Sequence, residues 1–235
     1  MTNNLDRDLQ AYICGDLEMD VFGIASVGDF KTYYPDLPAP DRFMKDAKSI
    51  IVFGISFDPE VARSTITPDL AKMPDTYDIP HLNTTITSKY FSVPERFNIN
   101  YDLLNSASYK ISKWLERRGL QAFGQPANNK DTRIFKTAFH HQPAAHLAGI
   151  GTWGVNHSIL SPEFGPRFYM NTVITDGVFK YGHPLKDEIC IDCGLCKKKC
   201  PAKAIYSKAD KHRGRCVANC CSVCIAVCPV GERIR

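Results

Sequence analysis

The cysteines of this chain are concentrated at one end of the sequence. Nine of the ten fall within the last 46 of its 235 residues. They form two runs that each end in a Cys-Pro pair, Cys190-x2-Cys193-x2-Cys196-x3-Cys200-Pro201 and Cys216-x3-Cys220-Cys221-x2-Cys224-x3-Cys228-Pro229. Since closely spaced thiolates are metal ligands, this part of the chain is predicted to bind metal.

The spacing C-x2-C-x2-C-x3-C-P is typical of bacterial ferredoxins, in which the fourth cysteine of each run ligates the other cluster. Two such runs predict two [4Fe–4S] clusters with exchanged fourth ligands, and therefore one-electron transfer. The first cluster is expected on Cys190, Cys193, Cys196 and Cys228. The second is expected on Cys200, Cys221, Cys224 and one further cysteine.

That further ligand is either Cys216 or Cys220. An ordinary ferredoxin run would place it at position 218, which is Ala218 here. Cys216 is preferred because the side chains of the neighbours Cys220 and Cys221 usually diverge. Zinc is an alternative, although x3-Cys-Pro endings are unusual for zinc sites. Disulfides are a second alternative, and they need an oxidising compartment.

The rest of the chain limits the class of protein to which it can belong. About 180 residues remain outside the cluster region, enough for one substantial core, and we expect domains at 1–182 and 183–235. No apolar run is long enough to span a bilayer, and the opening MTNNLDRDLQ lacks the features of a secretory signal. A cytoplasmic protein with no membrane partner is therefore expected, and exposed low-potential clusters indicate a setting protected from oxygen. Cys14 is expected to be a buried bystander.

Positive charge is concentrated on the predicted cluster domain. Residues 186–215 contain nine basic and four acidic side chains, whereas the rest of the chain contains 20 and 21. Such a surface could steer an acidic electron donor of the flavodoxin or ferredoxin type. It could also contact nucleic acid or offset the negative charge of the clusters. The acidic donor is the favoured partner, and nucleic acid is not expected.

The remaining sequence alternates between helix and strand patterns, which predicts an α/β fold. Helices are predicted over 5–13, 102–118 and 142–148, and strands over 21–27, 49–57, 120–123 and 168–175. The clearest helix has one apolar face, formed by Leu104, Ala107, Ile111, Trp114 and Leu115. Gly119 is placed to end it. Residues 58–100 are rich in proline, and we predict a long surface excursion that could form a lid.

Gly149, Gly151 and Gly154 match the G-x-G-x-x-G dinucleotide fingerprint, but their context does not. The fingerprint needs a strand before it and a helix after it. Here a helix is predicted before it, and Pro162 and Pro166 limit any helix that follows. The glycines instead indicate that the backbone closely approaches a large flat group or another chain segment. Tight turns within a packed domain are the structural alternative.

The segment AHLAGIGTWGVNHSILSPEFGPRFYMNTVITD, at 145–176, resembles the AGLG-x-x-G-x-N…FG segment of epoxyqueuosine reductases and their shorter paralogues. Reductive dehalogenases carry a related stretch. In all of them it precedes two ferredoxin-type cysteine runs, as it does here. KTYYPDLPAP and SIIVFGISF resemble the N-terminal half of the same family, so the resemblance covers nearly the whole chain.

The resemblance implies a cobalamin between a nitroreductase/flavin-reductase-like α/β domain and a ferredoxin-like 2[4Fe-4S] domain. One cluster would reduce a base-off corrinoid, which would act on a small-molecule or protein-bound substrate. The residues it implies near the corrin are Gly149, Gly151, Gly154, Asn156, Ser161 and Phe164. The protein would supply positioning, electrons and protons, since the hard chemistry belongs to the cofactor.

Two departures from the family qualify the expected activity. Epoxyqueuosine reductases have an acidic proton donor about a dozen positions before the AGLG element, whereas this chain has RIFKTAFHHQ in that region. His140, His141 and Tyr169 are the candidate donors instead. The chain ends seven residues after Cys228, so the helical-repeat domain associated with tRNA recognition is expected to be missing and a tRNA substrate is not expected. A corrinoid-free electron-transfer protein and a flavin-containing reductase are the alternatives.

Overall fold

A computed structural model describes residues 2–64, 76–79, 84–87, 94–127, 130–131, 136–211, 216 and 222–231. Its contacts divide the chain into two compact units. The first comprises Met1–Ser56, Ile99–Thr152 and Phe168–Glu188, and the second comprises Phe57–Asn98, Trp153–Arg167 and Ile189–Arg235. Both units are discontinuous in sequence, whereas the predicted division at residue 183 is a single cut.

The secondary structure alternates between helices and short strands. In chain order the helices are α1 (Thr2–Ala11), α2 (Val27–Tyr33), α3 (Pro59–Ser64), α4 (Pro94–Glu116), α5 (His141–Leu147), α6 (Leu195–Lys199) and α7 (Val223–Ala226). The strands are β1 (Val21–Ser26), β2 (Ser49–Ser56), β3 (Thr76–Ile79), β4 (Thr84–Thr87), β5 (Ala122–Gly124), β6 (Lys130–Asp131), β7 (Lys136–Thr137), β8 (Thr152–Trp153), β9 (Ile159–Leu160) and β10 (Phe168–Thr175). A π-helical turn at Tyr12–Asp16 follows α1, and a 3-10 turn lies at Pro40–Arg42.

The first unit is built on an antiparallel sheet with strand order β1-β2-β10-β5. Strand β2 lies in its interior, where Ile51 is opposite Ile24 of β1 and Val173 of β10. The four residues from Ile50 to Phe53 are fully buried, which explains the continuous apolar run in the sequence. Because side chains alternate along a strand, β2 contributes to the packing on both faces of the sheet.

One face of the sheet packs against α1 and α4. The core there comprises Leu9, Ile13, Met19, Ile24, Ile51, Phe53, Leu104, Ala107, Ile111, Trp114, Leu115, Val173 and Phe179. The predicted apolar face of α4 is therefore confirmed. Gly119, with φ +80°, donates its N–H to the Glu116 carbonyl at 3.0 Å just beyond the helix, as a C-terminal stop does. Helix α5 contacts β1, β2 and β10.

Some predicted boundaries were wrong for identifiable reasons. The strand predicted over 21–27 ends at Ser26, because the Ser26 hydroxyl accepts the N–H groups of Gly28 and Asp29 and starts α2. Cys14 is exposed rather than buried. The excursion predicted over 58–100 contains α3, the antiparallel β3–β4 pair and the first turns of α4. A lid function for this segment stays a prediction, and residues 65–75, 80–83 and 88–93 lie outside the described part of the chain.

The second unit holds two short helices that follow the same local pattern. Helix α6 contains Cys196 and begins after Gly194, whose φ is +71°. Helix α7 contains Cys224 and begins after Ser222, whose φ is +51°. In each case a left-handed residue lies two positions before a cysteine on the helix, so the described parts of the two runs share this local geometry. The two helices contact each other, and α7 also contacts α3.

The structure also bears on membrane association. Among the described residues, no helix combines the length and the apolar character needed to cross a bilayer.

Candidate metal centre

Four cysteines of the second unit line one cavity: Cys190, Cys193, Cys196 and Cys228. This is the set predicted for the first cluster, with three ligands from the first run and the last cysteine of the second. The described side chains include no group of three or more histidine, cysteine, aspartate or glutamate residues arranged to hold a metal ion. The four thiols therefore share a cavity rather than converge on one point, and each ligand of a [4Fe–4S] cluster binds a different iron.

The electrostatics of this cavity oppose four bare thiolates. Burial raises the pKa of the Cys196 and Cys228 thiols, and the neighbouring Cys190 and Cys193 raise both further. The backbone N–H of Val230 acts in the other direction on the pKa of Cys228. Ligation requires deprotonated sulfur, so iron binding at this site would release protons, and its positive charge would offset the loss of water around the thiolates.

The second predicted ligand set is described only in part. Cys200, Cys216 and Cys224 are half-buried, and the Cys200 sulfur accepts the Ala204 N–H at 3.3 Å. Cys221, and the alternative ligand Cys220, lie outside the described residues. The second cluster and the preference for Cys216 therefore stay predictions.

Sequence reasoning missed Arg167, which is only 1% exposed. Its Nη1 donates to the Cys228 carbonyl at 2.8 Å, and its Nη2 donates to the Val230 carbonyl. Gly165 and Gly231 both have positive φ, and a Cβ on either would collide with the backbone of the other segment. The sequence contains one signal for it: a lone arginine stands between a Gly-Pro pair and an apolar strand. A charged side chain at such a buried position needs a partner.

The predicted corrin-contacting residues are divided between the units. Gly149 and Gly151 belong to the first unit, and Gly154, Asn156, Ser161 and Phe164 belong to the second. Gly149 has φ +76°, and a Cβ there would lie 2.6 Å from the His183 carbonyl oxygen. A Cβ at Gly154 would collide with the Leu160 side chain. Close approach of the His183 backbone therefore accounts for glycine at 149, whereas at 154 a Cβ would meet side-chain atoms. The corrin role of all six residues stays a prediction.

Two polar side chains in this stretch stabilise local turns. The buried Asn156 accepts the Ser158 N–H on Oδ1 at 3.1 Å. The Ser161 hydroxyl accepts the Phe164 N–H at 2.8 Å. In these contacts both side chains act as acceptors through their oxygen atoms. Their donor groups are the NH₂ of Asn156 and the O–H of Ser161.

The candidate proton donor His141 lies at the start of α5 in the first unit. Its Nδ1 is 3.0 Å from the Thr172 hydroxyl, and its ring also bonds to the backbone of Pro126, which has only a carbonyl to offer. Burial lowers the pKa of His141 to about 4, and the nearby His140 acts in the same direction. The imidazole is therefore uncharged at neutral pH, which suits a hydrogen-bond partner or a base better than an acid.

The candidate Tyr169 lies on β10 with its ring 5.7 Å from that of Tyr101. Burial raises the pKa of its phenol, and Tyr101 raises it further. Tyr169 therefore keeps its proton at neutral pH and can donate a hydrogen bond. His140, half-buried, is the residue immediately before α5. The proton-delivery roles of His140, His141 and Tyr169 all stay predictions.

Comparisons with known proteins agree with this description. The 4Fe-4S binding domain family matches residues 185–206. An epoxyqueuosine reductase of Bacillus anthracis is 37% identical over 71 residues, which is 30% of this chain and 18% of that protein. A tetrachloroethene reductive dehalogenase of Desulfitobacterium hafniense is 30% identical over 166 residues, which is 69% of this chain and 24% of that protein. This chain thus covers less than a quarter of each relative's length.

Solved structures show the fold. An epoxyqueuosine reductase bound to an epoxyqueuosine-modified tRNA-Tyr stem loop superimposes with a TM-score of 0.69 at 17% identity, over 99% of this chain and 67% of that one. A catabolic reductive dehalogenase superimposes with a TM-score of 0.54 at 17% identity, over 80% of this chain and 24% of that one.

The fold is thus mixed α/β with a 4Fe-4S binding domain. Its predicted resemblance to the family of epoxyqueuosine reductases and reductive dehalogenases is confirmed.

The lowered pKa of His141 predicts an acid-dependent loss of stability. Because the folded pKa is about 4 and the ordinary value is 6.5, the unfolded chain takes up this proton first as the pH falls. The stability present above pH 6.5 should decrease by up to about 3 kcal/mol on approaching pH 4. His141→Asn should reduce this slope in anaerobic urea unfolding, whereas replacement of the exposed His183 by Asn should preserve it. Equal slopes in wild type and His141→Asn would contradict the prediction.

Proposed function

We propose that this chain is a cobalamin-dependent iron–sulfur reductase. It would pass electrons from two [4Fe–4S] clusters to a base-off corrinoid and on to a small-molecule or protein-bound substrate. The observation that carries the proposal is the cavity shared by Cys190, Cys193, Cys196 and Cys228. A ligand set that joins the two ends of the cysteine region is the arrangement of two-cluster ferredoxins.

The second cluster is supported by the structural repeat in the second unit. Gly194 and Ser222 adopt the same left-handed conformation before α6 and α7, so each run can wrap its thiolates around a cluster in the same way. We assign the second cluster to Cys200, Cys216, Cys221 and Cys224. Each cluster exchanges one electron at a time, which suits stepwise reduction of a cofactor.

The corrinoid is supported by the chemistry of the 149–164 stretch. One reductive dehalogenase with this fold is described as having a structure that suggests a mechanism for B12-dependent dehalogenation. The Asn156 amide group and the Ser161 hydroxyl hydrogen are donors suited to the amide side chains of a corrin. Gly149, Gly151, Gly154 and Phe164 would complete the residues that hold it. When bound, a corrinoid supplies a strongly reducing cobalt centre.

The first unit would serve as the cofactor-binding domain of this reductase. Its antiparallel sheet, covered by helices, supports assignment to the nitroreductase/flavin-reductase-like folds. A neutral His141 held by Thr172 and Pro126 would act as a hydrogen-bond partner or a base. Tyr169 or His140 would deliver the proton. The substrate would be a small molecule or a corrinoid on another protein.

A second candidate function is a corrinoid-free electron-transfer protein that docks a redox partner. It is favoured by the neighbours of Gly149, since the positive φ and the close His183 backbone already require glycine at that position. A bound flavin is the third alternative, because nitroreductase-like folds also hold flavins.

An exposed surface of the second unit suggests where electrons enter. Ile191 is 66% exposed and Leu195 is 36% exposed, on either side of the exposed Cys193. Helix α6 continues this surface with three exposed lysines, Lys197, Lys198 and Lys199. We propose that an acidic donor of the flavodoxin or ferredoxin type docks here, because its charge complements the lysines and its apolar rim can cover the exposed side chains.

Cofactor content tests the main proposal. Anaerobically purified protein should contain about eight irons per chain, four for each cluster. Added cobalamin should then give the EPR signal of base-off Co(II). About eight irons with no cobalt signal at any cobalamin concentration would support the corrinoid-free protein instead. Flavin absorbance in the purified protein would support the third alternative.

Serine variants test the exchanged ligands. If Cys228 and Cys196 bind the same cluster, Cys228→Ser and Cys196→Ser should each remove one cluster and leave the same EPR signal from the other. Cys200→Ser and Cys224→Ser should form a second matching pair with the other signal remaining. Cys14→Ser, outside the runs, should keep full iron content.

Pairing of Cys228→Ser with Cys224→Ser would instead show that each run binds its own cluster. The same assay decides the last ligand. Cys216→Ser should lose iron and Cys220→Ser should not, and the reverse result would move the ligand to Cys220.

Charge reversal tests the donor surface. Lys198→Glu with Lys199→Glu should slow cluster reduction by reduced flavodoxin about tenfold at low salt, while reduction by titanium(III) citrate stays possible. The wild-type rate should fall between about 0.01 M and about 0.15 M salt, as the screening length shortens from about 30 Å to about 8 Å. The matched control is Lys110→Glu with Lys180→Glu, which makes the same change in net charge at exposed positions of the first unit.

An unchanged flavodoxin rate in the double variant would contradict the docking proposal. If the variant also lost retention on a nucleic-acid column that holds the wild type, the surface would be assigned to nucleic acid instead.

A further inference from the structure

Arg167 is among the largest fully buried side chains of the described chain. An arginine that is 1% exposed carries its charge into a site from which water is excluded. Such burial is costly unless hydrogen bonds and nearby negative charge offset it. The hydrogen bonds are those to the carbonyl oxygens of Cys228 and Val230. These two residues flank Pro229, so the guanidinium spans the Cys-Pro turn that ends the second run.

The segment that carries Arg167 is held in place by its own hydrogen bonds. Ser161 and Gly165 exchange N–H to carbonyl bonds of 2.9 and 3.0 Å. The Ser161 hydroxyl accepts the Phe164 N–H, and the Arg167 N–H donates to the Phe164 carbonyl at 3.1 Å. The guanidinium therefore projects from a fixed turn, as a positioning group must.

The two segments approach each other closely at two glycines. Gly165 approaches the Val230 carbonyl, and Gly231 approaches the backbone of Gly165 and Phe164, with no room for a Cβ at either glycine. Cys228 belongs to this turn, while the other thiols of its cavity lie 32 or more positions earlier in the chain. The position of Cys228 therefore depends on the segment to which its turn is tied.

The charge of Arg167 also acts on the cavity. Its guanidinium donates to the carbonyl of Cys228 itself, at 2.8 Å, so the positive charge lies within one residue's length of a proposed ligand sulfur. A [4Fe–4S] cluster gains negative charge when it accepts an electron, and its reduction potential depends on hydrogen bonds, net charge and solvent exposure around it. A buried cation beside one ligand therefore stabilises the reduced cluster relative to the oxidised one.

We propose that Arg167 is the positioning residue of the first-run cluster: it holds the turn that delivers Cys228, and its buried charge raises the reduction potential of that cluster. This inference rests on the proposed binding of two clusters. The electron comes from the acidic donor, and no covalent bond forms or breaks at Arg167.

Redox titration of two variants tests the inference. Arg167→Gln should lower the reduction potential of one cluster while the other keeps its wild-type value. We expect a ratio of reduced to oxidised cluster about tenfold lower at fixed potential, which is about 59 mV for a one-electron couple. Arg167→Lys keeps the charge but not the paired hydrogen bonds, so its potential should stay nearer to wild type. EPR of each cluster and iron content are the readouts.

A charge-matched control separates local from general electrostatics. Lys208→Gln removes one positive charge at an exposed position of the same unit. Since water and salt screen exposed charges, neither cluster should shift as it does in Arg167→Gln. An equal shift in Lys208→Gln would overturn the specific role of Arg167.

Iron content and reduction potential distinguish the remaining outcomes. If Arg167→Gln and Arg167→Lys both lose the iron of one cluster and keep that of the other, the positioning role of the paired hydrogen bonds is supported. Loss of both clusters in both variants would assign Arg167 to folding of the unit and overturn the inference. Wild-type iron content and potentials in Arg167→Gln would overturn it as well. A wild-type protein without clusters would refute the proposed function itself, and iron analysis reveals this before any variant is made.

Discussion

The hydrogen bonds from Arg167 to the Cys228 and Val230 carbonyls join two distant parts of the second unit. One part is the turn that follows Gly149, Gly151 and Gly154, fixed by the Ser161–Gly165 bridge. The other is the end of the second cysteine run, which returns to the cavity formed by the first run. Because a buried guanidinium is stable only with its acceptors in place, this contact and the close packing around Gly165 determine where the last cysteine lies.

The cavity at Cys228 favours a bound group that carries positive charge. Burial and the neighbouring thiols raise the pKa of Cys196 and Cys228, so the thiolate forms of these two residues are unfavourable there without positive charge. Iron meets this demand, and the buried Arg167 contributes a smaller part of it. A structure that gathers thiols in this way gains stability from its metal, as small metal-binding domains with limited cores generally do.

The sequence predicted features that depend on local patterns. The apolar face of α4 and the buried run of β2 follow from periodicity, and the cysteine spacing identified the thiols that share a cavity. Features that depend on contacts between distant segments were missed. Arg167 has no motif, the start of α2 depends on the Ser26 hydroxyl, and the low pKa of His141 depends on burial against Thr172 and Pro126. Single-sequence patterns do not record such long-range pairings.

The second unit places positive charge in two different environments, which separates two physical roles. Lys197, Lys198 and Lys199 are exposed on α6, where water and salt screen them, so they can affect the rate at which an acidic partner approaches but have little influence on a cluster's energy. Arg167 is buried against the Cys228 turn. Screening is weak there, so its charge affects the energy of the reduced cluster relative to the oxidised one. A net charge of +4 does not distinguish these roles, whereas the burial of each cation does.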